Sequence, residues 1–104
     1  MKVVIVGFGE KGRRHARIAQ SLGLKVVAVD PVVRDELVVY SWLSQALEHE
    51  WGRVQAIVIA TPPEQQLGDI ELAEHAGLPV LLMGEQDGME AWQEFLQTCK
   101  VKVK

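Results

Sequence analysis

The chain has 104 residues, a length that suits a single domain over residues 1–104, and 48% of the residues are hydrophobic. The formal net charge of −3 argues against a general nucleic-acid-binding protein, which usually carries a positive excess. The one cysteine cannot form an internal disulfide, so we expect a cytoplasmic protein. No apolar run reaches the roughly 20 residues that span a bilayer, so we expect no membrane partner.

The first predicted strand leads directly into a glycine-rich turn. Val3–Val6 is short, continuously apolar and β-branched, as in a strand buried on both faces. The stretch Gly7–Gly12 then has the spacing G-x-G-x-x-G, and Arg13–Leu22 is predicted to be a helix. The order of strand, glycines and helix is typical of a phosphate-binding turn in a dinucleotide fold.

Each glycine of this turn has a predicted task. Gly7 allows the tight turn, Gly9 lets the backbone approach a pyrophosphate, and Gly12 lets the helix pack closely on the strand. The helix N-terminus offers unpaired N–H groups to the anion. The predicted cofactor contacts in the turn therefore also include its other residues, Phe8, Glu10 and Lys11.

Strands and helices are predicted to alternate along the remaining chain. Further strands are predicted at Lys25–Asp30, Leu37–Tyr40, Val54–Ala60 and Pro79–Met83, with a short sixth candidate at Val101–Val103. Helices are predicted from an N-cap at Ser41 to about Glu50, over Glu64–Ala76, and from an N-cap at Asp87 to about Thr98. Their predicted inward faces include Trp42, Leu43, Ala46, Leu67, Ile70, Ala73, Trp92 and Phe95.

This alternation predicts an α/β fold with a doubly wound parallel sheet of the Rossmann type, in the strand order 3-2-1-4-5-6. The order reverses between the first and fourth strands. The glycine turn and the loop Thr61-Pro62-Pro63 would then face each other across the crevice in which such folds bind ligands.

Asp30 ends the second strand, about 20 residues after the last glycine. A carboxylate at this distance is placed to accept hydrogen bonds from the adenosine ribose hydroxyls, and it favours NAD over NADP because it repels a 2′-phosphate. Arg34 lies near enough in sequence to weaken that preference, so NADP stays open. The alternative interpretation is that Asp30-Pro31 is only a turn.

Four cations cluster at the start of the first predicted helix: Lys11, Arg13, Arg14 and Arg17. Cations at a helix N-terminus oppose the helix dipole, so local stability does not account for them. They would attract an anionic ligand, or they form a solvated surface.

Catalytic and metal-binding patterns do not stand out elsewhere. His15, His49 and His75 share no ligand spacing, and Cys99 has no partner for a zinc site. Cys99 is expected to be inert, and the tryptophans are expected to serve packing. We therefore predict no catalytic residue and no metal ligand.

The stretch from Gly7 to Ala16, together with Ala60-Thr61-Pro62-Pro63, resembles the N-terminal domain of the Gfo/Idh/MocA oxidoreductases. The resemblance covers nearly the whole chain. It implies an NAD(P)-dependent relative of sugar and inositol dehydrogenases, with the Thr-Pro loop at the cofactor.

Departures from that family limit what the resemblance implies. The family usually has Glu-Lys-Pro after the fifth strand, where this chain has Glu85-Gln86-Asp87. Glu85 is therefore kept as a cofactor contact, whereas Gln86 replaces the catalytic lysine and cannot act as an acid or base. The family also has a substrate-binding second domain, which this sequence does not contain.

Three functions follow as hypotheses. The first is a stand-alone dinucleotide-binding domain that acts as a subunit or sensor, with a partner chain or a second copy of itself. The second is the cofactor-binding half of a dehydrogenase whose other half comes from elsewhere. The third is an interaction protein that kept the fold without the ligand, since a fold does not fix a function. Another nucleotide, such as coenzyme A, is a variant of the first.

Overall fold

The computed structural model describes residues 1–82 and 88–103, with side chains up to Leu82 and from Gly88 to Cys99. Strands and helices alternate within these residues. The strands are β1 Lys2–Val6, β2 Lys25–Val29, β3 Val38–Tyr40, β4 Ala56–Ile59 and β5 Val80–Leu82. The helices are α1 Glu10–Ser21, α2 Leu43–His49, α3 Leu67–His75 and α4 Met89–Val103, and a 3-10 turn at Pro63–Gln65 precedes α3.

The strands form one parallel sheet in the order β3-β2-β1-β4-β5. Strand β1 is central, because Val3–Val6 pairs with Val26–Val29 on one side and with Ala56–Ile59 on the other. The doubly wound α/β fold predicted from the sequence is confirmed, and the order reverses between β1 and β4 as expected.

The predicted sixth strand is wrong. Val101–Val103 forms the last turn of α4, so the sheet ends at β5 within the described residues. A strand there would require the helix to end and the chain to reverse between Thr98 and Val101. No glycine or proline interrupts that stretch, so the helix continues through it.

The continuous apolar run of β1 serves two cores, because successive side chains of a strand point to opposite faces. Val3 and Ile5 pack in the cluster that includes residues of α1 and α4. Val4 and Val6 pack in the cluster that includes Leu43 of α2 and residues of α3. Helices therefore cover both faces of the sheet, which a strand without polar alternation requires.

Helices α1 and α4 meet through a buried polar contact. His15 is fully buried on α1, and its Nδ1 accepts a hydrogen bond of 3.4 Å from Nε1 of Trp92 on α4. Trp92 is also fully buried and contacts Phe95 edge-on, with ring centroids 6.4 Å apart. The inward face predicted for the last helix is thus confirmed at both aromatic residues.

Two residues predicted to face inward are exposed. Trp42 is the N-cap of α2 in place of Ser41, with an extended backbone and 59% of its surface exposed. Its position before the first helical turn takes its side chain off the buried face, and Leu43 occupies that face instead. Leu67 is 68% exposed, because α3 begins at Leu67 only after the 3-10 turn and its first residue lies outside the buried cluster.

None of the helices in the described part of the chain combines the length and the apolar character that crossing a bilayer would demand.

We predict that Trp92→Ala lowers the free energy of unfolding by about 3–5 kcal/mol, because it removes a large, fully buried side chain and leaves a cavity between α4 and the sheet. Urea denaturation followed by circular dichroism measures this loss. Trp51→Ala is the matched control, because Trp51 is 70% exposed and its removal should cost no more than about 0.5 kcal/mol. Equal losses in the two variants would contradict the packing described here.

Candidate nucleotide-binding site

Gly7 makes the turn that follows β1. Its φ is +90°, a backbone conformation that side-chain-bearing residues rarely adopt. A Cβ at this position would also lie 2.7 Å from Cγ2 of Thr61 and 3.3 Å from the backbone of Ala60. Both the conformation and the contact with the loop after β4 therefore require glycine here.

Gly12 lets α1 lie against that turn. A Cβ on Gly12 would stand 1.9 Å from the carbonyl oxygen of Gly7 and 2.9 Å from its carbonyl carbon. These atoms belong to the backbone and cannot rotate away. The absence of a side chain at Gly12 thus allows the helix to approach the turn after β1 this closely.

Gly9 differs from the other two glycines. It is the N-cap of α1, with φ −77°, a value open to any residue. No atom lies within 4 Å of where its Cβ would stand. Neither conformation nor packing within the protein requires glycine at this exposed position.

Asp30 ties the glycine turn to the loop after β2. Its Oδ2 accepts from the backbone N–H of Phe8 at 2.8 Å, and its Oδ1 accepts from those of Val32 and Val33 at 2.9 and 2.8 Å. Burial by itself would raise the pKa of Asp30, but the three N–H donors and the nearby Arg34 outweigh it and hold the pKa below its ordinary value. The side chain is therefore a carboxylate at neutral pH, and its hydrogen bonds hold the glycine turn and the loop after β2 in place.

A crevice of about 560 Å³ opens at the carboxyl ends of β1, β2 and β4, within the range of small-molecule sites. It lies where the strand order reverses, as the sequence predicts. Residues of four chain segments line it, and Gly7, Asp30 and Thr61 come from three of these segments. The structure thus brings together three of the predicted site residues that are distant in sequence.

The loop after β4 is held by Gln66. Its side-chain Nε2 donates a hydrogen bond of 2.7 Å to the carbonyl oxygen of Thr61. Pro62 and Pro63 are exposed and line neither of the two large cavities. The Thr61 hydroxyl oxygen is buried and has no hydrogen-bond partner among the described residues, which leaves an unsatisfied polar group beside the glycine turn.

A second cavity, of about 760 Å³, lies on the outer side of the glycine turn. We call it the basic cavity; it is lined by Phe8, Gly9, Glu10, Lys11, Arg13, Arg14, Arg17 and Val33. The guanidinium carbon of Arg13 stands 5.9 Å from the centre of the Phe8 ring, a cation–π distance. Phe8 is itself buried, so it takes part in the site through its N–H group and its packing.

The crevice contains residues that the sequence did not single out. Trp42 lines it from the start of α2, and Asp69 lines it from α3, where burial raises the pKa of the Asp69 carboxyl. No motif marks either residue; the one sequence signal is that Trp42 lies two residues after the carboxyl end of the predicted strand Leu37–Tyr40. Predicted residue Glu85, with Gln86 and Asp87, lies outside the described residues.

The remaining candidates for chemistry do not assemble into a centre. In the part of the chain that the structure describes, no three His, Cys, Asp or Glu side chains come together as a metal-binding group. Cys99 is buried in the cluster beneath α4, as expected for an inert thiol. The candidate site thus consists of backbone N–H groups, one carboxylate and the surrounding cations.

The parallel sheet, the glycine turn and the crevice define a dinucleotide-binding domain of the Rossmann type. Residues 1–73 match the family described as D-isomer specific 2-hydroxyacid dehydrogenase, NAD binding domain. The chain belongs to this family. The coarser expectation of a dehydrogenase-type NAD-binding domain is confirmed by this match. No match was found among curated protein sequences.

Several solved structures share the fold. D-galactose-1-dehydrogenase from Rhizobium etli has a TM-score of 0.69 and 22% identity, over 96% of this chain and 34% of that one. The WlbA (WbpB) dehydrogenase from Thermus thermophilus, in complex with NAD and UDP-GlcNAcA, has a TM-score of 0.66 and 18% identity, over 98% of this chain and 38% of that one. A conserved hypothetical protein from Pyrococcus furiosus has a TM-score of 0.63 and 22% identity, over 95% of this chain and 87% of that one. The chain thus spans little more than a third of either dehydrogenase.

We predict that Gly12→Ala lowers the free energy of unfolding by about 1–3 kcal/mol, because the added methyl group forces α1 away from the Gly7 carbonyl. Gly9→Ala is the matched control; it meets no atom and should cost about 1 kcal/mol or less. Chemical denaturation of both variants and the wild type measures the difference. A Gly12→Ala protein as stable as Gly9→Ala would show that the helix can move at no cost.

We predict that the stability difference between the wild type and Asp30→Asn shrinks as the pH falls from 7 to 3. The folded pKa of Asp30 lies below its unfolded value of about 3.9, so its stabilisation is complete above that pH and is lost as the pH falls through the folded pKa. Urea denaturation at several pH values measures the two curves, and the other carboxylates cancel in their difference. A difference independent of pH would contradict the hydrogen bonding assigned to Asp30.

Proposed function

We propose that this domain binds a nicotinamide dinucleotide of the NAD(H) type across the glycine turn. The observation that carries the proposal is Gly9. Gly7 and Gly12 are needed by the fold, whereas Gly9 has an ordinary φ and open space around it, so neither its conformation nor its packing requires glycine. A backbone kept bare at an exposed helix N-terminus suits the close approach of a pyrophosphate.

The residues around the turn fit such a ligand. Backbone N–H groups at the start of α1, from Gly9 to Lys11, would hold the pyrophosphate. Asp30 uses both carboxylate oxygens for backbone N–H groups, but two oxygens have about four acceptor positions, so one ribose hydroxyl can still donate to it. Bound nicotinamide would supply hydride chemistry, and this chain's own residues would bind and orient the nucleotide.

The family match supports this proposal, as does the likeness in fold to a dehydrogenase whose structure contains NAD. The finer assignment to the Gfo/Idh/MocA group is part of the proposal and draws on the glycine turn and the Thr61-Pro62-Pro63 loop. Gln86 stands where that group has its lysine, so we propose binding without turnover by this domain alone. A partner chain or a second copy would read out the bound nucleotide.

A second candidate is the cofactor-binding part of a dehydrogenase. The chain corresponds to only 34% and 38% of the length of the two dehydrogenases that share its fold. In this function, the groups that bind the substrate and transfer protons would come from outside residues 1–104. Hydride transfer observed only in a complex, or only in a longer protein, would favour this candidate.

We predict that NADH binds the wild-type domain and that Gly9→Ala weakens this binding by about tenfold or more, because the methyl group occupies the space that the pyrophosphate would approach. Isothermal titration calorimetry measures both affinities. Circular dichroism checks that Gly9→Ala remains folded.

Gly23→Ala serves as the control that lowers the stability of the domain without changing the proposed binding site. Gly23 has φ +83° and lies two residues before β2 at the amino edge of the sheet, opposite the crevice. This variant should be less stable but should bind NADH like the wild type. No heat with NADH or NAD for the wild type would refute the proposed function.

A further inference from the structure

A third and smaller cavity, of about 210 Å³, lies at the amino edge of the sheet, opposite the crevice. We call it the edge pocket; its walls include Leu47, Trp51, Val54, Ala76 and Leu78, with Glu50 as a charged residue. It opens between the ends of two helices, because Glu50 is the C-cap of α2 and Ala76 is the C-cap of α3. The proposed nucleotide site uses none of these residues.

Trp51 gives the edge pocket an exposed aromatic wall. The sequence predicts that this tryptophan serves packing, yet 70% of its surface is exposed. Leu72 lies one helical turn before Ala76 on α3 and is 39% exposed, so it extends the apolar surface beyond the pocket. A tryptophan beside an apolar pocket is typical of the residues that contribute most to protein–protein binding.

The volume of the edge pocket indicates the kind of occupant. About 210 Å³ is less than the roughly 300–1,000 Å³ of sites that enclose a small molecule. A whole nucleotide or cofactor therefore does not fit. One large apolar side chain of a partner protein would fill the pocket, as the anchor residues of protein interfaces do.

Negative charge is concentrated in the segment that forms the edge pocket. Residues 43–78 contain six carboxylates and one arginine, whereas cations outnumber carboxylates in the rest of the chain. Glu48 and Glu74 lie in the last turns of α2 and α3, where the helix dipole disfavours negative charge. Both are exposed and form no ion pair among the described residues. Helix stability does not account for them, whereas a cationic partner would.

Glu50 is held in place at the wall of the pocket. Its Oε1 accepts a hydrogen bond of 2.6 Å from Nζ of Lys2, and its Oε2 accepts one of 2.7 Å from the Tyr40 hydroxyl. These bonds, with Arg53 nearby, hold the pKa of Glu50 below its ordinary value, so it is a carboxylate at neutral pH. Because Lys2 neutralises much of this charge, the attraction for a cation comes chiefly from Glu48 and Glu74.

A second copy of this chain fits the edge pocket less well than a different protein does. Helix α1 of a second copy would bring cations, but it has no exposed large apolar side chain to fill the pocket. Its cations also surround the glycine turn, where the proposed pyrophosphate binds. The occupant must combine an apolar anchor with positive charge on one short segment.

We propose that the edge pocket docks a basic segment of a partner protein, with one apolar side chain inserted beside Trp51 and flanking arginines set against Glu48 and Glu74. Arginine suits this place better than lysine because its guanidinium also stacks on an exposed tryptophan ring. The site is separate from the glycine turn, so the inference does not depend on the proposed function.

The test uses a capped pentapeptide with a central leucine between two pairs of arginines as the probe. Two-dimensional NMR of the isotope-labelled domain at low ionic strength follows each indole and backbone N–H group during the titration. We expect saturable shifts at the Trp51 indole and the Gly52 backbone, and none at Gly9. A peptide with a central glycine should bind about tenfold more weakly, because it lacks the anchor. High salt should weaken binding by screening the charges.

Variants of exposed residues locate the peptide. Trp51→Ala should weaken the leucine peptide about tenfold or more, as expected for an anchor contact. Trp42→Ala is the matched control, because Trp42 is a second exposed tryptophan but lies at the carboxyl edge of the sheet. It should leave the affinity for the peptide unchanged. An equal loss in the two variants would overturn the assignment of the pocket.

Charge variants test the flanking contacts. Glu48→Gln and Glu74→Gln should each weaken the peptide about twofold to fivefold, as is typical of exposed ion pairs. Glu90→Gln is the control, because Glu90 is exposed on α4, which covers the opposite face of the sheet. A peptide with glutamates in place of the arginines should not bind. If it binds as tightly as the arginine peptide, the charge assigned to the partner is wrong.

Two further measurements separate this site from the alternatives. Analytical ultracentrifugation should find the wild type monomeric; self-association that Trp51→Ala abolishes would mean that a second copy occupies the pocket, and the assignment to a different protein would fail. Trp51→Ala should bind NADH as the wild type does. A loss of NADH binding in this variant would contradict the independence of the two sites.

Discussion

The close approach of α1 to the turn after β1 is the contact on which the geometry of this domain depends. It is possible only because Gly12 has no side chain to meet the Gly7 carbonyl, 1.9 Å from where a Cβ would stand. Gly7 in turn lies against the methyl group of Thr61. The turn after β1 therefore contacts the helix through backbone atoms and contacts the loop after β4 through that methyl group and backbone atoms. The N-terminus of α1 is thereby presented at the edge where β1 and β4 diverge.

Asp30 provides the second constraint, because this predicted cofactor contact also holds the backbone around it in place. The glycine turn has few side chains with which to hold itself in place. The Asp30 carboxylate supplies the missing bonds by accepting from Phe8 and from the loop after β2. Because the donors belong to separate loops, this single ionised side chain joins the glycine turn to the loop after β2, in addition to the backbone hydrogen bond of 2.8 Å from the Gly7 N–H to the Val29 carbonyl oxygen. Any ligand that contacts Asp30 therefore contacts a group already oriented by the protein.

The two cavities on either side of this frame differ in chemistry. The crevice has mixed walls, with the Trp42 ring, the unsatisfied Thr61 hydroxyl and the partly buried Asp69 carboxyl. The basic cavity has a nearly uniform positive wall on α1. A nucleotide has the same two kinds of surface, an aromatic base with hydroxyls and a set of anionic phosphates. This correspondence supports the nucleotide ligand that we propose, since a fold that many proteins share does not by itself identify a ligand.

The sequence by itself determined the fold and much of the candidate site. Apolar β-branched strands alternating with amphipathic helices leave few arrangements besides a parallel sheet, and the glycine spacing reports a local need for close backbone contact. Only the tertiary structure decided that Trp42 and Leu67 are exposed, because the true start of a helix sets which residues face the sheet. It also decided that Val101–Val103 stays helical and that Asp30 bonds to Phe8, 22 residues away. Such contacts depend on how separate elements are placed against one another, and no local pattern of residues encodes that placement.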